Sequence, residues 1–231
     1  MELRLRTIGC AACLAAVFLL SAYAAPAAAQ QDAAERRVLT GAERSALLER
    51  LNELQTGLQT FQAAFEESRH LATLNAPLRF SGRLYYDRAG LFCMVYTRPF
   101  EHTLRVQDNK ALLYVTGSRT ADEVDLSRVE GLAGRPDFFG WDPSGFNGTV
   151  VRDSTGYCLE ESAPSTDGTP GLNLRILLDA ETLLATHIRI QEGATVTDIA
   201  LSQKQLNRAL PEPVVHFTLP EGVTVNRIGM P

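Results

Sequence analysis

Histidines are the side chains in this sequence that would most readily bind a metal ion or exchange a proton. The four histidines, His70, His102, His187 and His216, are each isolated in the sequence. No H-E-x-x-H, C-x-x-C or calcium-loop pattern accompanies them, so no metal or other cofactor is expected. A nucleophile elbow of the form G-x-S-x-G and a phosphate-binding loop are also missing.

A Ser/His/Asp site assembled from distant positions would leave no local signal, so that arrangement stays open. Nothing in the sequence indicates one, and we do not expect an enzyme. The 22 basic residues are outnumbered by 27 acidic ones, for a net charge of −5. Because nucleic-acid binding requires a basic stripe that this chain lacks, that class of function is not expected.

The first 29 residues have the pattern of a secretory signal peptide. Arg4 and Arg6 precede an apolar run over residues 8–24, and three alanines at 27–29 suit a signal peptidase. We predict cleavage after Ala29, which leaves residues 30–231 as a single exported domain. A membrane anchor is the alternative, but the segment ends in small residues rather than in a stop-transfer cluster.

Two cysteines remain after this cleavage, Cys93 and Cys158. In an oxidising compartment they could form a disulfide. They could equally be two separate buried thiols that pack as small apolar side chains. Both interpretations stay open.

The first element of the mature chain is a predicted amphipathic helix. Thr40 and Glu43 have the spacing of a capping box, and Gly57 is placed to loosen the end of the helix. Leucines then recur at helical intervals on one face, at Leu47, Leu48, Leu51, Leu54 and Leu58.

After the helix, apolar residues recur at every second position, which predicts β-strands. Residues 61–65, 78–86, 91–97, 101–107 and 111–116 form one series, and 172–178, 184–191, 195–203 and 214–219 form another. Short turns between them predict antiparallel neighbours. The strand at 91–96 is apolar at every position, so both of its faces should be covered.

The middle segment, 117–149, carries much of the glycine and proline and the only tryptophan. We predict a short helix within residues 122–132. The aromatic residues Phe138, Phe139, Trp141 and Phe146 suggest a loop fixed onto the sheet or, alternatively, a mobile cover. A sheet of roughly ten antiparallel strands with so few helices must pack a second sheet or curl around an apolar interior.

Residues 81–115, SGRLYYDRAGLFCMVYTRPFEHTLRVQDNKALLYV, resemble the periplasmic outer-membrane lipoprotein carriers of the LolA family. The matching motifs are Gly82-Arg83-Leu84, Arg88-Ala89-Gly90 and Thr97-Arg98-Pro99, followed by the hairpin at 108–112. The stretch VVHFTLPEGVTV (214–225) is similar to the closing strand of the family. Ala89 replaces the family's proline, and Met94 stands where a tryptophan is common.

The resemblance implies a mainly β, α+β fold: a curved antiparallel half-barrel of about ten to eleven strands with lid helices over an apolar cavity. It also implies that the cavity carries lipoprotein acyl chains through the periplasm, with an inner-membrane release complex and an outer-membrane acceptor as partners. A monomer is expected. The alternatives are a LolA-like binding module without transport, such as a stress sensor or assembly factor, and a carrier for another lipid-like molecule.

The alternation of side chains along each strand and the family resemblance together predict which residues line the cavity. The resemblance places Phe92 inward, and alternation adds the other members: Phe65, Phe80, Leu84, Tyr86, Phe92, Met94, Tyr96 and Leu104. Core packing against the leucine-rich helix is the alternative role for them. Arg88 matches the family's gate arginine, which implies that it closes the lid by hydrogen bonds to a covering helix. A solvated turn arginine is its alternative role.

Overall fold

The computed structural model describes residues 36–128, 143, 146–163 and 171–228. These residues form a 13-stranded sheet in the order β1-β8-β9-β10-β11-β12-β2-β3-β4-β5-β6-β7-β13. The sheet is curved and open, as predicted, and it has more strands than the ten or eleven expected. The predicted signal peptide and the aromatic residues 138, 139 and 141 lie outside the described residues.

The predicted helix is present as α1 (Gly41–Gly57). Its leucine stripe faces the sheet, and Leu47, Leu48 and Leu51 are buried there. The capping box was wrong, because the Thr40 side chain makes no capping hydrogen bond. The Glu43 carboxylate instead accepts two hydrogen bonds from Arg37, at 2.6 and 3.0 Å.

Six consecutive strands form the first meander, in which each strand pairs with the next. Their bounds are β2 (Thr60–His70), β3 (Leu78–Asp87), β4 (Leu91–Arg98), β5 (His102–Gln107), β6 (Lys110–Val115) and β7 (Thr120–Asp125). Asp108 and Asn109, both at positive φ, make the tight turn between β5 and β6. The helix predicted at 122–132 was wrong over its first residues, since β7 and a 3₁₀ turn at Leu126–Arg128 occupy them.

A second meander, assembled from later residues, forms the other half of the sheet. Its strands are β8 (Thr149–Arg152), β9 (Gly156–Ala163), β10 (Leu172–Asp179), β11 (Ala185–Glu192) and β12 (Thr195–Leu206), and the two-residue β1 (Arg37–Val38) pairs with β8 at the edge. The two meanders join where β12 pairs antiparallel with β2, for example Leu201 with Phe65.

The strand predicted at 214–219 was wrong. Residues Glu212–Val215 form a short helix, α2, which begins directly after Pro211, and Pro213 also disfavours a strand. The last strand, β13 (Thr224–Ile228), comes later and pairs parallel with β7, an exception to the expected antiparallel pairing.

Helix α2 covers the outside of β4, whose residues 91–96 are apolar at every position. Val214 packs with Tyr85, Leu91 and Cys93 in a buried cluster. Arg105 holds α2 in place by donating hydrogen bonds to the carbonyl oxygens of Val214 and Val215. The alternate side chains of β4 point to the opposite face, so residues 91–96 are covered on both faces.

The two thiols are buried and free. Cys93 lies on β4 and Cys158 on β9, with five strands between these two in the sheet order. Cys93 points away from Phe92 and Met94, into the cluster covered by α2. The candidate Cys93–Cys158 disulfide is therefore absent from the structure.

We expect both thiols to resist alkylation in the folded protein and to react once the protein is unfolded without reductant. Burial raises the pKa of Cys93 to about 11, and burial also raises the pKa of Cys158. At mildly alkaline pH each is thus mainly a protected thiol rather than a reactive thiolate. Mass spectrometric mapping of an alkylating label checks this; unlabelled cysteines in unfolded, unreduced protein would mean that a disulfide forms.

Candidate functional site

One face of the sheet, here called the inner face, carries the large apolar side chains and the helix α1. Its main cluster centres on Phe61, Phe65 and Ile188, each less than 3% exposed. A second cluster joins the leucines of α1 to Val150, Leu159 and Leu178. Ile176 and Ala185 pack against both clusters, so α1 and the apolar wall share this face.

All eight residues predicted to line the cavity lie on the inner face. Strand pairing aligns them across β2 to β5, as in the row that joins Leu84, Met94 and Leu104. Six are buried and two, Phe80 and Leu104, are half-buried. Their contact with a ligand stays a prediction.

A small, partly open apolar hollow, with a cavity volume of about 90 Å³, lies between α1 and the inner face. The helix contributes Leu51, Leu54 and Gln55 to its lining. The remaining lining residues are mainly apolar and come mostly from the second meander: Leu58, Phe61, Pro143, Leu159, Ile176, Leu178, Leu183, Leu184 and Ala185. The cavity wall predicted from the sequence lay on β2 to β5 and did not include the lining from α1 and the second meander. The leucine stripe and the alternation at 172–178 were the sequence signals that could have indicated it.

Arg88 bonds to the C-terminal end of α1. Its guanidinium donates hydrogen bonds to the carbonyl oxygens of Thr56 and Gln55, and the side chain is exposed. The last carbonyls of a helix lack partners within the helix and carry partial negative charge, so an arginine is favourable there. The contact required by the predicted gate is thus present, and the gating role stays a prediction.

Asn207, which the sequence did not single out, bonds to the same end of α1. Its side-chain amide donates to the carbonyl oxygen of Gly57 at 3.0 Å and accepts from the backbone N–H of Gln59 at 2.7 Å. Its φ of 52° is in the left-handed region, which asparagine tolerates better than most residues. We call Arg88 and Asn207 together the latch. No local pattern could have revealed a contact between positions 150 residues apart.

Replacing Asn207 with alanine should lower the free energy of unfolding by about 2 kcal/mol, from the lost hydrogen bonds and the strained left-handed backbone. Asn207→Gly should cost less, because glycine accepts the positive φ. Denaturant unfolding measures both. Asn226→Ala, which loses one exposed hydrogen bond to Asp122 at the sheet edge, is the control. Equal stability of the Asn207 variants and the wild type would contradict the assigned role.

The other end of α1 is attached differently. The backbone N–H of Leu39 bonds to Val150, and Arg44 bonds to the carbonyl oxygens of Phe146 and Gly148. Leu39, Leu47 and Leu48 add apolar packing there. The C-terminal end of α1 is held by the exposed latch and by the buried side chains of Leu51 and Leu58.

Among residues 36–128, 143, 146–163 and 171–228, no group of histidine, cysteine and acidic side chains could hold a metal ion. Within the same ranges, the helices are too short or too polar to cross a bilayer.

No protein-family model matches the chain, and no curated protein matches it in sequence. Several solved structures are similar to it. An uncharacterised conserved protein from Thermus thermophilus is 13% identical, with a TM-score of 0.46, over 79% of this chain and 98% of that one. A LolA superfamily protein from Nitrosomonas europaea is 12% identical, with a TM-score of 0.45, over 74% and 96%.

A third similar structure is an outer membrane lipoprotein-sorting protein domain from Vibrio parahaemolyticus. It is 9% identical, with a TM-score of 0.42, over 74% of this chain and 93% of that one. A LolA superfamily protein and a lipoprotein-sorting domain are thus among the solved structures similar to this chain. The open, curved sheet with a helix against its inner face, which that resemblance implies, is the fold of this chain.

Proposed function

We propose that this chain is a divergent LolA-like carrier, which binds the acyl chains of lipoproteins between α1 and the inner face and shuttles them across the periplasm. The observation that supports this most directly is the apolar hollow beneath α1, whose C-terminal end is held by the exposed latch. An apolar ligand gains little from a polar surface but gains much from such a wall.

The free energy gained by burying an acyl chain is enough to offset the loss of the latch. Burial of an acyl chain contributes about 0.8 kcal/mol per methylene, whereas each exposed hydrogen bond of the latch contributes about 1 kcal/mol. A chain of common membrane-lipid length therefore outweighs the latch several-fold. Without cargo, the latch keeps α1 against the apolar wall and limits exposure of the inner face.

The partners follow from this proposal. Lipoprotein cargo needs a release complex at the inner membrane and an acceptor at the outer membrane, and the carrier between them works as an exported monomer without a cofactor. An enzymatic step is not needed, because the cargo leaves chemically unchanged.

Native mass spectrometry of protein purified gently from the periplasm, followed by denaturing lipid analysis, tests the proposal. We expect bound species that carry acyl chains, with lipoprotein fragments among them. Transfer of a purified triacylated lipopeptide between vesicles then separates a carrier from a module that only binds. Absence of any acyl-bearing ligand, together with no binding of the lipopeptide, would overturn the proposed function.

A further inference from the structure

A charged group interrupts the inner face at the end far from the latch. Glu67 follows Phe65 along β2 on the same face, and its side chain is only 1% exposed. An isolated carboxylate in such a place costs several kcal/mol. We call the group around it the polar end, formed by Glu67, Arg69, Phe80, Tyr96 and His102.

Both oxygens of the Glu67 carboxylate have partners. Arg69 donates to one oxygen at 2.6 Å, and the Tyr96 hydroxyl donates to the other at 2.9 Å. Burial, followed by the neighbouring Glu67 charge, raises the pKa of Tyr96, which keeps its phenol protonated as a donor. Glu67 thus fixes the positions of Arg69 and Tyr96.

Most N–H groups of the Arg69 guanidinium at the polar end are available to a ligand. A guanidinium carries five N–H groups, and among the described residues the only hydrogen-bond acceptor that Arg69 reaches is Glu67. Arg69 lies over the ring of Phe80 at 5.5 Å, and 41% of its side chain is exposed. The half-buried His102 ring stacks on Tyr96 at 3.9 Å beside it. Such a site suits a group rich in acceptors.

The position of this site matches the geometry of an amphiphile. From Phe61, which lines the hollow under α1, to Glu67 the extended strand β2 spans roughly 20 Å of apolar wall. Phe100, 50% exposed and 4.9 Å from His102, adds an apolar rim at the polar end. Acyl chains along the wall would therefore end beside Arg69.

We propose that the polar end binds the acceptor-rich headgroup of the amphiphile, either its ester carbonyl or its phosphate oxygens, through the Arg69 guanidinium. Glu67 is a positioning residue, which holds that guanidinium toward the ligand, and Tyr96 satisfies the second oxygen of the Glu67 carboxylate. This inference rests on the proposed binding of acyl chains to the inner face. It adds a specificity for the polar part of the cargo.

Three lipids with matched chains test the inference: dipalmitoyl phosphatidic acid, dipalmitoyl glycerol, and the dialkyl glycerol ether, which has neither phosphate nor ester carbonyl. We expect the wild type to bind phosphatidic acid at least about tenfold more tightly than the ether. Arg69→Gln should lower affinity for phosphatidic acid about tenfold and leave affinity for the ether unchanged. An equal loss for the diacylglycerol identifies the ester carbonyls as the bound group; no loss for it identifies the phosphate.

Arg79→Gln is the matched control, because Arg79 neighbours Phe80 on β3 but points to the other face. A second variant, Glu67→Gln combined with Arg69→Gln, removes the buried charge together with its partner and guards against misfolding of the single variant. Equal changes for all three lipids, or no headgroup preference in the wild type, would overturn this inference alone. Failure of the wild type to bind any of these lipids and also the triacylated lipopeptide would overturn the proposed function as well.

Discussion

Replacing Phe92 with glutamate should abolish the retention of acyl chains and leave a folded protein. Phe92 is 6% exposed on the inner face of β4, between Tyr86 and Val106 in the adjacent strands. If this wall opens to admit cargo, water reaches the new carboxylate in the open form, while acyl chains cannot pack against it. We expect at least a hundredfold loss of affinity for a fluorescent fatty acyl probe, since a buried charge costs several kcal/mol.

Arg83→Glu provides the control for this variant. Arg83 lies on β3 next to Leu84 but on the opposite face, and its substitution changes the charge more than Phe92→Glu does. That variant should bind the probe like the wild type. Circular dichroism and thermal unfolding show whether Phe92→Glu is folded. An unfolded Phe92→Glu protein would instead assign Phe92 to a permanently packed core.

Arg88→Leu should bind cargo but transfer it to an acceptor at least tenfold more slowly than the wild type. Loss of the guanidinium removes the hydrogen bonds to Thr56 and Gln55 at the end of α1. The open form with its cargo is then favoured by about 2 kcal/mol, and release becomes less favourable by the same amount. Transfer of a labelled lipopeptide from loaded protein to acceptor vesicles measures the effect.

Arg105→Leu is the matched control, since Arg105 also donates to carbonyl oxygens of a helix, α2, but on the outer face. It should lose stability without slowing transfer. A wild-type transfer rate for loaded Arg88→Leu would leave Arg88 as a surface residue that stabilises the helix end.

The period-two pattern predicted most strands because antiparallel strands with one covered face alternate by necessity. It also placed Phe92, Met94 and Tyr96 on one face of β4. The pattern could not show what covers the opposite face. That information lies in Val214, more than one hundred residues later, and only folding brings the two together.

The polar end could not be predicted from the sequence for a similar reason. In the stretch Phe65-Glu66-Glu67-Ser68-Arg69, a buried glutamate looks no different from its exposed neighbour. Its burial depends on Tyr96 and Arg69, which satisfy the carboxylate. Gly82, by contrast, was recognised in the sequence as part of a motif. The structure shows why this position requires glycine: a Cβ there would lie 2.0 Å from the carbonyl oxygen of Val95.

The junction of the two meanders determines the order in which the chain can fold. Within each meander, strands pair with neighbours in sequence and close only short loops. The β2–β12 junction instead brings together residues such as Thr60 and Arg208, 148 positions apart, and so carries the largest loop-closure entropy. Because Phe61 and Phe65 lie on β2, each half alone leaves apolar surface uncovered until the junction forms. A chain that has not yet folded therefore depends on its last quarter for protection against aggregation.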